Sequence, residues 1–136
     1  MPINDDNEIR GILSSSRTVA VVGASDKPWR DSNDIMRYLM KRGYQVFAVN
    51  PSYTTVLEQT CYASLMDVPE PIDIVDVFRR SDAVPEIVRD AISVKAKTLW
   101  LQLGVSNNEG TRLAEEHGIK VIVNRCIAVD HRRLIR

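Results

Sequence analysis

The stretch that most constrains this chain is Thr18-Val19-Ala20-Val21-Val22-Gly23-Ala24-Ser25-Asp26-Lys27-Pro28. Four apolar residues in a row, Val19 to Val22, read as a buried strand. They run into Gly23-Ala24-Ser25, the smallest side chains available. A helical pattern begins near Ser32. Strand, small-residue turn and helix form the leading edge of a nucleotide-binding βαβ unit. Small residues are needed there because a phosphate reaches backbone N–H groups only where no bulky side chain blocks the approach. Gly23 can also take φ > 0, which a tight strand exit often requires. A tight βα turn without a ligand is the alternative reading of this stretch alone.

The remaining pattern repeats the unit. Acidic residues before Ile9, Ile12 and Leu13 predict a short opening helix. Asp31 or Ser32 can cap the next one, whose apolar face is Ile35, Met36, Leu39 and Met40 and whose end is marked by Gly43. Tyr44–Val49 reads as the second strand, stopped by Pro51. Residues 52–71 have weak periodicity and predict a loop with one helical turn around Ser64–Asp67. Ile72–Phe78 is the third strand, followed by a helix capped by Asp82 with Pro85 in its first turn. Thr98–Gln102 is the fourth strand. Ser106–Glu109 fits a capping box for a helix ending at Gly118, and Lys120–Val123 is the fifth strand. The tail from Asn124 to Arg136 is basic and has no assigned element.

Five strands alternating with helices predict a single α/β domain over residues 1–136. It is a Rossmann-like, doubly wound parallel sheet with helices on both faces and strand order 3-2-1-4-5. At 136 residues such a domain can bury ~68% of its unfolded surface, enough for a core without cross-links. Zero formal net charge gives no electrostatic case for a nucleic-acid surface. No apolar run approaches the ~20 residues of a membrane span. The acidic N-terminus lacks the apolar stretch of a signal peptide, so Cys61 and Cys126 are expected to be reduced thiols in a cytoplasm.

Ligands of doubly wound sheets bind outside the carboxyl ends of the strands, at the switch point beside the first strand. The first exit carries G-A-S-D-K-P rather than the G-x-G-x-x-G of a dinucleotide enzyme. The second strand ends in Asn50-Pro51, where an NAD site would place an Asp or Glu on the ribose. Lys27 and Arg30 in the first loop, with Arg79 and Arg80 at the third exit, point to a ligand richer in phosphate than NAD. Arg80 reads as a solvated surface charge. Asp73 and Asp76, three apart on one strand, face opposite ways and form no carboxylate pair. His117 suits the end of a helix and His131 stands alone in the tail. No nucleophile–base set and no metal-ligand cluster is legible. Trp100 reads as core and ranks behind Phe78 as a surface for a ligand ring.

Four motifs together, V-V-G-A-S-D-K-P-W-R-D-S, Y-L-M-K-R-G-Y-Q-V-F-A-V-N-P, D-I-V-D-V-F-R-R-S and K-T-L-W-L-Q-L-G-V, resemble the small stand-alone CoA-binding proteins. These are related to the CoA-binding domain of the succinyl-CoA synthetase alpha subunit and of ADP-forming acyl-CoA synthetases. The likeness runs from about Ile9 to Cys126 and fails in Ile127–Arg136. It implies coenzyme A, or an acyl-CoA, held at the strand exits by a protein without catalytic apparatus of its own. By position, Gly23, Ala24, Ser25, Lys27, Arg30 and Ser32 would face the phosphates. Asn50 and Pro51 would flank the nucleotide. Phe78 and Arg79 would lie along the adenine and 3′-phosphate region or the adjacent pyrophosphate. Two further readings stay open: a component of an acyl-CoA ligase or transferase, and a redox regulator pairing the CoA thiol with Cys126. The protein partner and the acyl group, if any, are left unassigned.

Overall fold

The computed structural model describes residues 1–135, and Arg136 lies outside them. The five anticipated strands all form: β1 (Thr18–Val22), β2 (Gln45–Val49), β5 (Ile74–Val77), β6 (Thr98–Leu101) and β7 (Lys120–Val123). Two more, β3 (Thr55–Val56) and β4 (Gln59–Tyr62), lie in the stretch expected to be loop. The sheet runs β3-β4-β2-β1-β5-β6-β7, parallel except for the β3–β4 hairpin.

This corrects the expected order 3-2-1-4-5 of five strands. The third anticipated strand, β5, pairs with β1, not with β2. The slot outside β2 is filled by β4, through Ala48↔Cys61 and Val49↔Tyr62. Counting the missed strand, the parallel strands do follow the doubly wound Rossmann order. The hairpin is hard to read because its two-residue turn is Leu57-Glu58, both at positive φ (51° and 62°). That geometry is normally announced by Asn-Gly or Asp-Gly. The strand itself, Gln-Thr-Cys-Tyr, is short, polar and near an edge.

Helices cover both faces. On one, α1 (Asp6–Ser15), α2 (Asp31–Lys41) and α5 (Ile127–Leu134) bury Ile9, Leu13, Met36, Leu39, Ile127 and Leu134 against Val19, Val21, Ile74, Trp100 and Ile122. On the other, α3 (Val84–Ser93) and α4 (Asn108–Glu116) bury Val84, Ile87, Val88 and Ala114 against Ala20, Val22, Val75, Val77 and Leu99. Three helix starts differ from the expected caps. Arg30 stands at the N-cap of α2 with no side-chain hydrogen bond. A 3-10 turn, Ser81–Ala83, precedes α3. Asn107, not Ser106, caps α4 by accepting from the Gly110 N–H.

The unassigned tail forms α5. Its basic residues hold it in place: Arg125 makes a two-pronged pair with the buried Asp130 (2.7 and 3.0 Å), and Arg133 pairs with Asp6 (2.8 Å) on α1. His131, which looked isolated, is buried there. Its Nδ1 meets the Tyr38 hydroxyl at 2.9 Å. Burial, then the nearby Arg42 and Arg132, depress its pKa.

Asp73 lies just before β5 and accepts hydrogen bonds from the Arg17 and Thr18 backbone N–H groups (2.7 and 3.2 Å). Burial opposes its ionisation, but these donors and Lys97 outweigh it, so its pKa falls below the usual value. Asp76 is the opposite case. It sits in mid-sheet between Val21 and Trp100, fully buried, and neither carboxyl oxygen has a partner among the described residues. Burial alone pushes its pKa well above the usual carboxylate range. The sign follows by linkage. A raised folded-state pKa means that the fold holds this proton more tightly than the unfolded chain does. Stability from this group is therefore full below about pH 4 and is lost as pH rises toward the folded-state pKa, at up to ~1.4 kcal/mol per pH unit. Asp76→Asn is expected to remove that loss. Urea unfolding between pH 5 and 8 should show the variant gaining on the parent as pH rises, and parallel curves would refute a protonated Asp76.

Candidate functional site at the carboxyl ends of the strands

The β1 exit is built around Gly23, whose φ of +90° lies where side chains are strained. A Cβ at this position would come within 2.8 Å of the Phe78 carbonyl oxygen and 3.2 Å of Arg79 Cδ. Glycine thus lets the β1 and β5 exits touch. Its N–H donates to the Val49 carbonyl (2.9 Å), extending the ladder toward β2. Gly23 therefore also serves close packing, besides lining the cleft where a phosphate was expected.

Two buried or half-buried amides hold the next two residues. Asn50 Nδ2 donates to the Ala24 carbonyl (2.8 Å), and its Oδ1 accepts from the Ser52 N–H (2.9 Å). Asn33 Nδ2 donates to the Ser25 carbonyl (2.8 Å) and Oδ1 accepts from Arg37 (3.0 Å). Both asparagines position the turn. Sequence reading gave Asn50 to the ligand and missed Asn33, whose signal was a polar residue at a helix position facing the sheet.

In front of this turn lies an open cleft of about 750 Å³. Gly23, Ala24, Ser25, Lys27, Arg30, Ser32, Asn50, Phe78 and Arg79 all line it, together with Trp29, Asp31 and Tyr53, which sequence reading passed over. Trp29 is 75% exposed on the loop before α2. Tyr53 reaches Ser25 Oγ at 3.5 Å. Its position, three residues beyond Asn50 in a stretch without periodicity, gave no signal. Trp100 is fully buried, with its indole N–H donating to the Arg125 carbonyl (2.9 Å), so it faces no ligand.

The electrostatics of the cleft are one-sided. Lys27, Arg30 and Arg79 have no carboxylate partner among the described residues, whereas Arg80 pairs with Asp82 at 3.7 Å, as its surface reading implied. Lys27 lies 5.7 Å from the Trp29 ring centroid. The uncapped first turn of α2 opens here through Arg30, Asp31 and Ser32, and such a turn offers free N–H groups and the positive end of the helix dipole. Asp31 is the one acid in the lining. Cations, a bare helix start and a small-residue turn are the features from which phosphate sites are built.

Two smaller clefts adjoin it. Pro51 is absent from the main cleft and lines a slot of about 250 Å³ with Val22, Val49, Leu65 and Ile87 and the acids Glu86 and Asp90, and Arg79 belongs to both. On the other side a cleft of about 300 Å³ between α2, α5 and the β5–β7 exits shares Asp31 and Phe78 with the main one. Cys126, half-buried at the start of α5, lines it. Cys61 is buried, its thiol against the Asn50 carbonyl (3.5 Å), and burial raises its pKa.

The profile of a CoA binding domain matches residues 17–132. The chain belongs to the CoA-binding domain family. YneT of Bacillus subtilis is 38% identical over 124 residues, covering 91% of this chain and 92% of its own. A Pyrococcus horikoshii protein of solved structure superposes with a TM-score of 0.96 at 41% identity, over 100% of this chain and 97% of that one. The domain also matches the ADP-forming acetate–CoA ligase I of Archaeoglobus fulgidus, at 28% identity over 123 residues. There it accounts for 83% of this chain but 18% of the ligase. The resemblance to CoA-binding domains and the α/β fold are thereby established.

Proposed function

We propose that this chain binds coenzyme A, with the pyrophosphate over the start of α2. The observation that carries this is the convergence of Lys27, Arg30 and Arg79, without carboxylate partners among the described residues, on the uncapped α2 N-terminus. Three joined clefts support it, because coenzyme A has three parts. The slot beside Pro51, with apolar walls and the acids Glu86 and Asp90, suits the adenine ring and its amino group, the main cleft suits the phosphates, and the side cleft beyond Phe78 suits the pantetheine arm. Arg79, at the junction of slot and main cleft, is placed for the 3′-phosphate. Asn50 offers no free carboxylate to a ribose diol, which disfavours NAD.

The protein so read is a cytoplasmic binder or carrier without chemistry of its own. The ligase activity in the name of the Archaeoglobus relative belongs to a much longer chain. Cys126 in the side cleft favours a second reading. Its thiolate attacks the disulfide of a CoA dimer, forming a Cys126–CoA disulfide and releasing one CoA thiolate. Native mass spectrometry tests these readings together. The expected spectrum shows one non-covalent CoA per chain, and acetate, CoA and ATP added to the protein yield no acetyl-CoA. An adduct removed by dithiothreitol would favour the redox reading, and ATP-dependent thioester formation would overturn the binder.

A further inference from the structure

The side cleft holds an amide that the fold leaves half used. Gln102, at the exit of β6, is only 4% exposed and lines this cleft. Its Oε1 accepts from the Ile127 N–H (3.1 Å) at the start of α5, where Cys126 stands as N-cap with no side-chain hydrogen bond of its own. Only the oxygen of an amide accepts, so this bond fixes which end is which. The Nε2 group is left with no hydrogen-bond partner among the described residues. Unlike the sealed carboxyl of Asp76, it borders the open space of the cleft. A buried N–H donor costs stability unless something accepts from it. The other groups narrow what that is. Ile35, Phe78 and Ala128 are apolar, Asp31 and Arg132 bring one charge of each sign, and Asp34 pairs with Arg37 (3.4 Å). A neutral donor between apolar walls, in a cleft without excess charge, suits a neutral carbonyl oxygen.

We propose that Gln102 Nε2 donates to the pantetheine amide carbonyl nearer the thiol, and that this contact separates CoA from nucleotides that share only its phosphates and adenine. The inference rests on coenzyme A being the ligand of the main cleft, which the side cleft joins through Asp31 and Phe78. Order along the sheet edge selects the carbonyl. Phe78 follows β5, Gln102 follows β6 and Cys126 lies beyond β7, and these strands are neighbours in the sheet. An arm that leaves the main cleft past Phe78 crosses Gln102 and then nears Cys126. Pantetheine presents its groups in a matching order: one amide, the second amide, then the thiol. Gln102 thus has two duties, capping α5 and reading the arm.

The two duties can be separated. Gln102→Glu keeps an acceptor for the Ile127 N–H, at a helix start where a carboxylate is favoured, but loses the N–H donor. Calorimetric titration of parent and variant above neutral pH compares CoA with adenosine 3′-phosphate 5′-diphosphate, which lacks the arm. The variant is expected to bind CoA about tenfold more weakly and the arm-less nucleotide unchanged. Equal weakening of both ligands, the mark of a purely structural role, overturns the contact, and so does an unchanged affinity for CoA. A third ligand, CoA with two methylenes in place of the amide nearer the thiol, makes the test on the unaltered protein. It should bind the parent about tenfold more weakly than CoA does. Equal affinity for the two overturns the contact and leaves the CoA reading intact. Failure of the parent to bind any of the three compounds overturns both.

Discussion

Replacing Gly23 by valine is expected to abolish CoA binding, by at least about a hundredfold, and to cost about 3 kcal/mol or more of stability. Two effects add. A β-branched residue at φ +90° is strained whatever the space around it, and here its Cβ would lie 2.8 Å from a backbone carbonyl. The Phe78 carbonyl cannot rotate away as a side chain could. The β1 and β5 exits must therefore part, carrying Arg79 and the turn out of register with α2. Gly118 is the control: it has φ +79° but no atom within 4 Å of an added Cβ. Gly118→Ala should cost about 1 kcal/mol from backbone strain alone and leave binding unchanged. Urea unfolding and calorimetric titration of both variants separate the two contributions. A folded Gly23→Val protein with parental affinity would remove this turn from the site.

The second large effect concerns Arg79. It walls both the main cleft and the slot beside Pro51, the junction at which a 3′-phosphate would lie beside an adenine. Arg79→Ala is expected to weaken CoA by about ten- to a hundredfold, the worth of one charge-assisted contact. Dephospho-CoA, which lacks that phosphate, should lose much less. Arg30 lines the main cleft but not the slot, so Arg30→Ala should weaken the two ligands alike. The gap between CoA and dephospho-CoA should also shrink as salt rises, because Arg79 is exposed to screening. Equal losses for both ligands on removing Arg79 would move the 3′-phosphate elsewhere.

How far such a site can be read from residue order depends on how locally each part is encoded. The Gly23–Ser25 turn, the cations at 27, 30 and 79, and the helix after them are local features with a direct physical signature. Nine of the ten anticipated residues meet in one cleft, and Pro51 faces the slot beside it. What stayed hidden is set by tertiary context. The hairpin β3–β4 has a Leu-Glu turn where glycine or asparagine is the usual sign, and β4 pairs on only two residues of β2. Without it the sheet order came out wrong by one slot. Helix α5 went unassigned because its basic composition has no visible partner until Asp6 and Asp130 are seen to neutralise it. Asn50 was assigned to the ligand because a strand end is where ligands lie. It lines the cleft, and its amide also binds Ala24 and Ser52, a second role visible only once β1 and β2 are adjacent.

The cleft has to choose between nucleotides. CoA and NAD share an adenosine and a pyrophosphate, so the Gly23 turn alone cannot separate them. The cations of the cleft and the neutral Asn50, whose amide is held by Ala24 and Ser52, should. Calorimetric titration of the purified protein with CoA, dephospho-CoA and NAD under one low-salt condition tests this most directly. The account predicts affinity falling in that order, with NAD weakest. NAD binding as tightly as CoA would contradict it and return the cleft to a dinucleotide reading.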